Sequence, residues 1–339
     1  MNILLTSVGR RTYMIEYFKD ALNGLGKVYA SNSVLTYSMT CADGYVVTPN
    51  IYDSNYIQFV LDYCCNNNIS VIISLFDIDL PILAKNKDIF KQKGIEVLVS
   101  DYNVTQICND KWKTYQFLKG IKIDQVETFI SLEEAKKAIN NKVVSYPLIL
   151  KPRWGMGSIG IYIANNEIEL EVLYKKIQTE IFDTYLKYES AENTTACVLI
   201  QEKIRGQEYG LDILNDLQRN YVTCIAKKKI AMRSGETDIA QIVENHPFQD
   251  LAYSISSNLL HIANLDVDCF ITNDNRLIVL EMNCRFGGQY PFSHNAGVNF
   301  PKQIVEWLQQ KATSKELTTP SIGIISCKDI NIVEFKIDK

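Results

Sequence analysis

The sequence contains 339 residues, of which 47% are hydrophobic and 22% are charged, and its formal net charge is −4. This composition is typical of globular proteins and disfavours the fibrous and intrinsically disordered classes. Because basic residues are not in excess, the expected partner is neither a nucleic acid nor a membrane surface but a small molecule.

The start of the chain and its metal-binding residue types narrow the class further. The first apolar run has at most four residues, which is too short for a signal sequence or a membrane span, so a cytoplasmic protein is expected. The nine cysteines contain no Cys-x-x-Cys pair, and the three histidines lie far apart. Neither a disulfide framework nor a zinc site is predicted, and each histidine is expected to be structural or to contact substrate.

In chain order, residues 1–105 alternate short apolar runs with a helical period, which is typical of βαβ units with a parallel sheet. The expected strands cover 3–5, 28–30, 71–75 and 97–99, and the first helix covers 12–22. The segment from Thr105 is predicted to form one helix that ends at Gly120, where a new subdomain begins.

Beyond Gly120 the pattern predicts a small mixed lid and then an α+β unit. The lid strands are expected at 147–151, 159–163 and 197–202, with a helix near 167–185. The strands of the α+β unit are expected at 209–214, 221–228, 267–272 and 277–282, around a helix near 248–263.

Residues 266–283 predict a β-hairpin, because two β-rich runs flank an Asn/Asp cluster. With Asp274-Asn275 as the turn, Thr272 opposes Leu277 and the pairing continues without a break; a four-residue loop gives the same register. One face then carries apolar pairs fit for burial: Val267 with Met282, Cys269 with Leu280, and Ile271 with Ile278.

The other face of this hairpin carries Asp268 opposite Glu281 and Asp266 opposite Asn283. Directly opposed carboxylates repel each other, so a cation between them is expected. Mg²⁺ suits the position, since it takes one or two carboxylates with phosphate oxygens and water. The alternative is a solvated polar face without an ion.

Two further segments predict nucleotide contacts. Glycines at 155, 157 and 160 lie between two strands, so their backbone N–H groups can approach an anion above Lys151, although a plain β-turn explains them about as well. The strand 197–212 breaks at Gly206. Backbone groups near Lys203 and Ile204 could read adenine there and Glu208 could accept hydrogen bonds from ribose, but exposed acids on strands are common.

In this order the segments resemble the ATP-grasp superfamily, most closely single-module proteins similar to the carbamoyl-phosphate synthase large subunit. The resemblance covers nearly the whole chain. Its motifs are Cys-Asn-Asp-Lys-Trp-Lys-Thr at 108–114, Lys-Pro-Arg-Trp-Gly-Met-Gly-Ser at 151–158, Gln-Glu-Lys-Ile-Arg-Gly-Gln-Glu-Tyr at 201–209 and Glu-Met-Asn-Cys-Arg-Phe-Gly-Gly at 281–288.

The resemblance implies an α/β (α+β) protein with the ATP-grasp fold and an N-terminal Rossmann-like pre-ATP-grasp domain. The implied domains are a Rossmann-like domain at 1–105, an ATP-grasp N-terminal subdomain with lid at 106–204, a C-terminal subdomain with the metal site at 205–312, and a strand-containing tail at 313–339.

The resemblance also implies roles for single residues. ATP would be bound by Lys111, Lys151, Gly155, Gly157, Ser158, the hinge Glu202, Lys203 and Ile204, and the ribose acid Glu208. The metal set would be Asp268, Glu281 and Asn283, while Lys151, Arg285 and Arg233 would act on the phosphoryl group and on a substrate carboxylate. Asp266 receives no role.

Three departures limit the resemblance. There is no second ATP-grasp half or glutaminase, so carbamoyl phosphate synthesis is not implied. Cys284 stands between Asn283 and Arg285 where relatives have proline, which changes the bend. The N-terminal loop is less rich in glycine than in relatives, so Arg10 or Arg11 contacts substrate or forms a solvated helix start.

The expected activity is an ADP-forming ligase that couples a carboxylate to an amine or thiol through an acyl phosphate. It would use ATP with Mg²⁺ or Mn²⁺, and homodimerisation is left open. An ATP-binding regulator without catalysis is one alternative, which the retained metal positions disfavour. An NAD(P)-dependent enzyme is another; it is disfavoured because only Gly9 lies in the first turn and no ribose-binding acid follows the second strand.

Overall fold

The computed structural model describes residues 1–155, 157 and 159–335. Three β-sheets with five, four and six strands organise this part of the chain. Each forms in a separate stretch of sequence, and helices cover them. The predicted Ser158 lies outside the described residues.

The N-terminal unit is a five-stranded parallel sheet with strand order β3-β2-β1-β4-β5. Its strands are β1 (Asn2–Thr6), β2 (Val28–Asn32), β3 (Gly44–Val47), β4 (Ile69–Ser74) and β5 (Glu96–Val97). Its helices are α1 (Thr12–Leu22), α2 (Tyr37–Thr40), α3 (Tyr56–Asn66), α4 (Asp79–Lys85) and α5 (Lys87–Lys91). The predicted parallel βαβ arrangement is confirmed, and the short strand β3 was not predicted.

The segment predicted as one helix forms two helices, α6 (Tyr102–Asn109) and α7 (Lys111–Gly120). Asp110 separates them because its backbone is extended and its carboxylate accepts hydrogen bonds from the N–H groups of Trp112 and Lys113. An aspartate that caps a new helix stops the previous one. Arg153 donates to the same carboxylate, at 2.6 and 2.7 Å, and ties this boundary to the lid.

The lid is a four-stranded antiparallel sheet with strand order β6-β9-β7-β8. Its strands are β6 (Thr128–Phe129), β7 (Leu148–Pro152), β8 (Tyr162–Ala164) and β9 (Val198–Glu202), and its helices are α8 (Leu132–Asn140), α9 (Glu167–Glu180) and α10 (Lys187–Ser190). Its apolar side chains form a core of their own, separate from the rest of the described chain.

The C-terminal sheet has strand order β14-β13-β10-β11-β12-β15 and is antiparallel. Its strands are β10 (Gly206–Asn215), β11 (Tyr221–Arg233), β12 (Glu236–Val243), β13 (Ala263–Thr272), β14 (Leu277–Asn283) and β15 (Ile325–Cys327). The accompanying helices are α11 (Gln249–Leu259), α12 (Tyr290–Asn295), α13 (Phe300–Leu308) and α14 (Lys315–Thr318). Two buried clusters join this sheet to the N-terminal unit, so the two pack as one body.

The register of the β13–β14 hairpin is as predicted at one end and wrong at the other. Asp268 opposes Glu281 and Asp266 opposes Asn283, as predicted. Beyond this point the pairing shifts by one residue, because Leu280 is an extra residue that forms a β-bulge in β14. The shift also moves the loop, where the N–H of Thr272 donates to the Arg276 carbonyl at 2.9 Å and Asn275 has a positive φ of 61°.

The bulge reverses the side of the sheet that Leu280 takes. The prediction placed Leu280 in the core opposite Cys269, but Val279 takes that place and is 1% exposed. Leu280 instead lines a cavity under the lid.

No helix among the described residues is long and apolar enough to cross a membrane.

Candidate active site

A cavity of about 230 Å³ lies between the lid and the C-terminal sheet, and we call it the lid cavity. It collects most of the residues predicted to bind ATP and metal: Lys111, Lys151, Gly155, Gly157, Glu208, Asp268 and Glu281. The predicted hinge lies at the end of β9, with Glu202 as its last residue and Lys203 and Ile204 after it, and does not line this cavity. Residues separated by up to 170 positions therefore meet at one place.

The two opposed carboxylates of this cavity have different surroundings. Asp268 accepts a salt bridge from Lys229 at 2.7 Å and a hydrogen bond from Gln289 at 3.0 Å. Glu281 forms no hydrogen bond or salt bridge with any residue that the structure describes. One acid of the pair is therefore held in place by the fold, and the other is available to a ligand.

The pKa values of the same two acids are shifted in opposite directions. Burial, Asp266 and Glu281 raise the pKa of Asp268 although Lys229 opposes the shift. Burial also acts to raise the pKa of Glu281, but nearby cations outweigh it and the net shift is downward; they are Lys111, Lys151, Lys229 and Arg285. Glu281 is thus an anion at neutral pH that faces two lysines across the cavity.

The two lysines belong to different elements, α7 and the lid strand β7. Lys111 starts α7 and its ammonium donates to the carbonyl of Gly155. Lys151, on β7, is only 5% exposed, and burial together with the charge of Lys111 lowers its pKa to about 8, although Glu281 opposes the shift. A buried ammonium without a salt bridge among the described residues is suited to an incoming anion such as a phosphate.

The donor set of the hairpin fits a hard divalent cation. The side chains of Glu281 and Asn283 have no hydrogen-bond partner among the described residues, and Asp268 lies opposite Glu281. Carboxylate and amide oxygens suit Mg²⁺, which commonly takes only one or two carboxylates. No group of three or more His, Cys, Asp and Glu side chains in the described chain is placed to hold a metal by itself. Any ion here would need ligands from substrate and water.

Lys229 links the two acids that line the lid cavity on β10 and β13. Its ammonium lies 2.6 Å from Glu208 and 2.7 Å from Asp268. Burial opposes its charge, but the two carboxylates hold the pKa of Lys229 above its ordinary value. The predicted ribose acid is therefore positioned by a lysine that the sequence reasoning did not single out.

Arg285 is buried and bridges two acids. Its guanidinium lies 2.7 Å from Asp77, which follows β4 in the N-terminal unit, and 3.2 Å from Asp266 on β13. Gly287 permits this arrangement, because a Cβ there would lie 2.2 Å from the Asp266 carboxyl carbon. Asp266, which had no predicted role, thus orients Arg285, and Asp77 connects it to the N-terminal unit.

A second cavity of about 820 Å³ lies between the N-terminal unit and the C-terminal sheet, and we call it the interdomain cavity. Arg10 and Arg11 line it from the loop after β1, and Arg233 lines it from the tip of β11–β12. The structure therefore separates Arg233 from the predicted phosphate ligands and pairs it with Asp238 at 3.0 Å.

Several residues of these sites were missed from the sequence. Asp77 carried a usable signal, since an acid just after a parallel strand often faces a site at the sheet edge. Three others have no local signal because distant segments bring them to their partners: Lys229, Gln289 and Lys328. Leu280 was expected in the core, and the bulge in its own strand turns it toward the lid cavity. His261 is fully buried and its Nε2 donates to the Ile213 carbonyl at 3.3 Å, so it is structural.

Comparisons with known proteins agree with this architecture. A model of PylC-like N-terminal domains matches residues 3–98, and a model of ATP-grasp domains matches residues 144–291. The chain is 21% identical over 250 residues to the carbamoyl phosphate synthase arginine-specific large chain of Halalkalibacterium halodurans, covering 71% of this chain but only 21% of that one.

A second relative is closer in size. The D-alanine–D-alanine ligase of Thermotoga maritima is 26% identical over 239 residues, which are 66% of this chain and 73% of that one. Among solved structures, the L-amino acid ligase of Bacillus licheniformis superposes with a TM-score of 0.73 at 17% identity, covering 95% of this chain and 78% of that one. The chain therefore contains an ATP-grasp domain that follows a PylC-like N-terminal domain.

Proposed function

We propose that this protein is an ATP-dependent ligase that joins a carboxylic acid to an amine and releases ADP and phosphate. The observation that carries the proposal is the environment of Glu281. It is an anionic side chain with no hydrogen-bond or salt-bridge partner among the described residues, and it lies opposite Asp268 and near Lys111 and Lys151 in one cavity. Such an arrangement suits a ligand that brings both positive and negative charge, as a metal-bound nucleotide does.

The similar proteins support the same class of reaction. Two of them are named D-alanine–D-alanine ligase and L-amino acid ligase. These names favour an enzyme that joins two small molecules at the expense of ATP. A thiol in place of the amine would follow the same route and give a thioester.

In the proposed reaction a carboxylate oxygen of the acid attacks the γ-phosphorus of ATP. The bond from phosphorus to the bridging oxygen breaks, which gives an acyl phosphate and ADP. The amine nitrogen then attacks the acyl carbon and loses a proton, and inorganic phosphate leaves. Phosphoryl transfer of this kind depends on positioning and charge stabilisation more than on covalent catalysis.

The residues of the lid cavity have separate roles in this scheme. Lys151 and Lys111 balance the charge of the phosphates, and Glu208 binds the ribose hydroxyls. Asp268, Glu281 and Asn283 would hold Mg²⁺ or Mn²⁺, which supplies positive charge to the phosphate oxygens when bound.

Arg285 stabilises the transferred group, and its two carboxylate partners fix its orientation. The lid has its own core and can close without disturbing the C-terminal sheet, so closure can exclude water that would hydrolyse the acyl phosphate.

Trapping of the intermediate tests the proposal. The protein is incubated with ATP, MgCl₂, hydroxylamine and a panel of amino acids and other small carboxylic acids, and hydroxamate and nucleotide products are measured. We expect hydroxamate and ADP in equal amounts with at least one acid. AMP as the product, or ADP without hydroxamate for every acid, would overturn the acyl-phosphate route. Nucleotide binding without turnover on the whole panel would point to a regulator instead.

A further inference from the structure

Among the described residues that line the interdomain cavity, two cations, Arg10 and Arg11, and one acid, Asp329, form no salt bridge. Lys328 also lines this cavity, and it forms a salt bridge with Glu236 at 3.1 Å. Arg10 and Arg11 form no salt bridge with any residue in the described part of the chain. Asp77 and Glu236 act on Arg11 only at longer range, so both guanidinium groups lack a direct salt-bridge partner, which an anionic ligand could supply.

Of the two arginines, Arg11 would be stabilised more by an anionic ligand. It is partly buried, its guanidinium donates to the Leu75 carbonyl, and burial lowers the pKa of Arg11. Holding a cation away from water without a paired charge is unfavourable. The helix α1 begins at the next residue with no acid in its first turn and no side-chain cap, so its positive end adds to the same field.

The loop that carries Arg10 and Arg11 is held in place by hydrogen bonds to a buried aspartate. The buried Asp79 accepts hydrogen bonds from the hydroxyls of Ser7 at 3.2 Å, Ser74 at 2.9 Å and Tyr56 at 2.7 Å. These contacts join the ends of β1 and β4 to α3. The arginines are thus presented from a fixed loop, which reduces the entropy lost when they bind a ligand.

The opposite wall of the cavity includes residues 325–335, which we call the C-terminal strap. It starts as β15, the edge strand that pairs with β12, and the N–H of Lys328 donates to the Asp238 carbonyl at 2.8 Å. Residues 328–331 line the cavity. The ring of Phe335 then contacts Tyr37 of the N-terminal unit edge-on, with centroids 6.3 Å apart. The strap therefore connects the two units along the cavity.

The interdomain cavity adjoins the lid cavity at the tip of β11–β12. Met232 and Gly235 line the lid cavity, while Arg233, Ser234 and Glu236 line the interdomain cavity. A molecule in the larger cavity can therefore place one end beside the proposed nucleotide and the other end beside the arginines.

We propose that the interdomain cavity binds the acid substrate and that this substrate carries a second carboxylate besides the reacting one. Arg10 and Arg11 bind the second carboxylate, and Lys328 of the C-terminal strap completes its site. The substrate class is thus a dicarboxylic acid or an amino acid that reacts through its side-chain carboxylate. This inference rests on the proposed function, which identifies the substrate carboxylate that reacts with ATP.

Binding of small acids can be measured without turnover. Saturation-transfer NMR on the full chain is recorded with linear dicarboxylates from malonate to adipate, with aspartate and glutamate, and with the monoamides of each compound. We expect at least one doubly carboxylated compound to bind, and its monoamides to bind about tenfold more weakly or not at all. Arg10→Ala removes a cation that binds the second carboxylate and should weaken binding by at least about tenfold. Lys328→Ala should weaken binding to a similar extent, because it also leaves the Glu236 carboxylate unpaired to repel the ligand.

Matched controls are Arg219→Ala and Lys311→Ala, which change exposed residues away from both cavities and should bind as the wild type does. Absence of binding for every doubly carboxylated compound would overturn the inference, as would unchanged binding in both cavity variants or equal binding of the monoamides. The proposed ligase activity fails separately, when acids bind in this assay but none gives hydroxamate with ATP.

Discussion

The lid cavity and the interdomain cavity obtain their charged residues in different ways. The lid cavity takes two of its three acids from one β-ladder, in which backbone pairing alone sets Asp268 opposite Glu281. The interdomain cavity gathers its cations from the loop after β1, the β11–β12 tip and the C-terminal strap, which meet only when the units pack. The first arrangement is local and suits a ligand shared by many enzymes. The second depends on particular loops and suits the choice of substrate.

This contrast predicts that changes in the lid cavity affect the chemistry, whereas changes in the interdomain cavity affect the affinity for the acid. Four experiments test the contrast, beginning with the one that should have the largest effect.

Replacing the unpaired acid of the ladder should remove activity. Glu281→Gln keeps the size of the side chain but removes the charge, so we expect Mg²⁺-dependent ADP release to fall by about 1000-fold, comparable with loss of a group that stabilises transition-state charge. Folding should be retained, as judged by circular dichroism. Glu316→Gln changes an exposed acid away from both cavities and should have wild-type activity. Unchanged turnover in Glu281→Gln would refute the metal assignment.

Asp77 lies in the N-terminal unit and forms a salt bridge with Arg285 of the ATP-grasp domain, so it connects these two parts of the molecule. In Asp77→Asn, Arg285 keeps only Asp266 as an anionic partner and loses its fixed orientation. We expect kcat/KM to fall by about 100-fold while the Kd for ATP changes by less than about threefold.

The control for this change is Asp101→Asn, which disrupts exposed salt bridges to Lys87 and Arg219 and should leave kinetics nearly unchanged. If kcat/KM in Asp77→Asn equals that of the control, Asp77 does not position Arg285 for catalysis.

The lowered pKa of Lys151 predicts a pH dependence confined to the lid cavity. Lys151 is charged below its pKa of about 8 and becomes neutral above it. If the charged form alone binds phosphate, nucleotide affinity should fall by up to about tenfold for each pH unit above 8. Titration calorimetry with an ATP analogue between pH 6.5 and 9.5, values chosen to span this pKa, measures the effect.

Lys151→Arg supplies the matched control, because an arginine stays charged throughout this range. Its affinity should be nearly independent of pH. A similar decline in both proteins would assign the pH effect to another group, and binding of the acid substrate in the interdomain cavity should not follow the same profile.

The smallest effects should come from the bulge in β14, which separates the binding role of Leu280 from the structural role of Val279. Leu280→Ala should weaken nucleotide binding by about threefold to tenfold, through lost apolar contact, and cost less than about 1 kcal/mol of unfolding free energy. Val279→Ala removes a buried side chain and should cost about 2 kcal/mol with little change in nucleotide affinity. The reverse pattern would favour the unbroken register.

Several features of the fold could be predicted because they depend on neighbouring residues. Apolar periodicity predicted β1, α1, β2 and β4, and the Asn/Asp cluster predicted the β13–β14 hairpin. The single helix predicted from Thr105 was wrong because helical periodicity continues through Asp110, while the capping contact of its carboxylate depends on backbone geometry. The bulge at Leu280 was missed because an uninterrupted apolar run fits both registers.

By itself the sequence determined which acids face each other at the start of the β13–β14 hairpin, because side chains alternate along strands and ladder pairing is local. It also determined the resemblance from which Lys111 and Lys151 were proposed. The tertiary structure alone decided that Arg285 is held by Asp77, 208 residues away, and that Lys328 joins Arg10 and Arg11 around one cavity. Contacts of this kind depend on how whole units pack, and no periodicity or spacing within a segment encodes them.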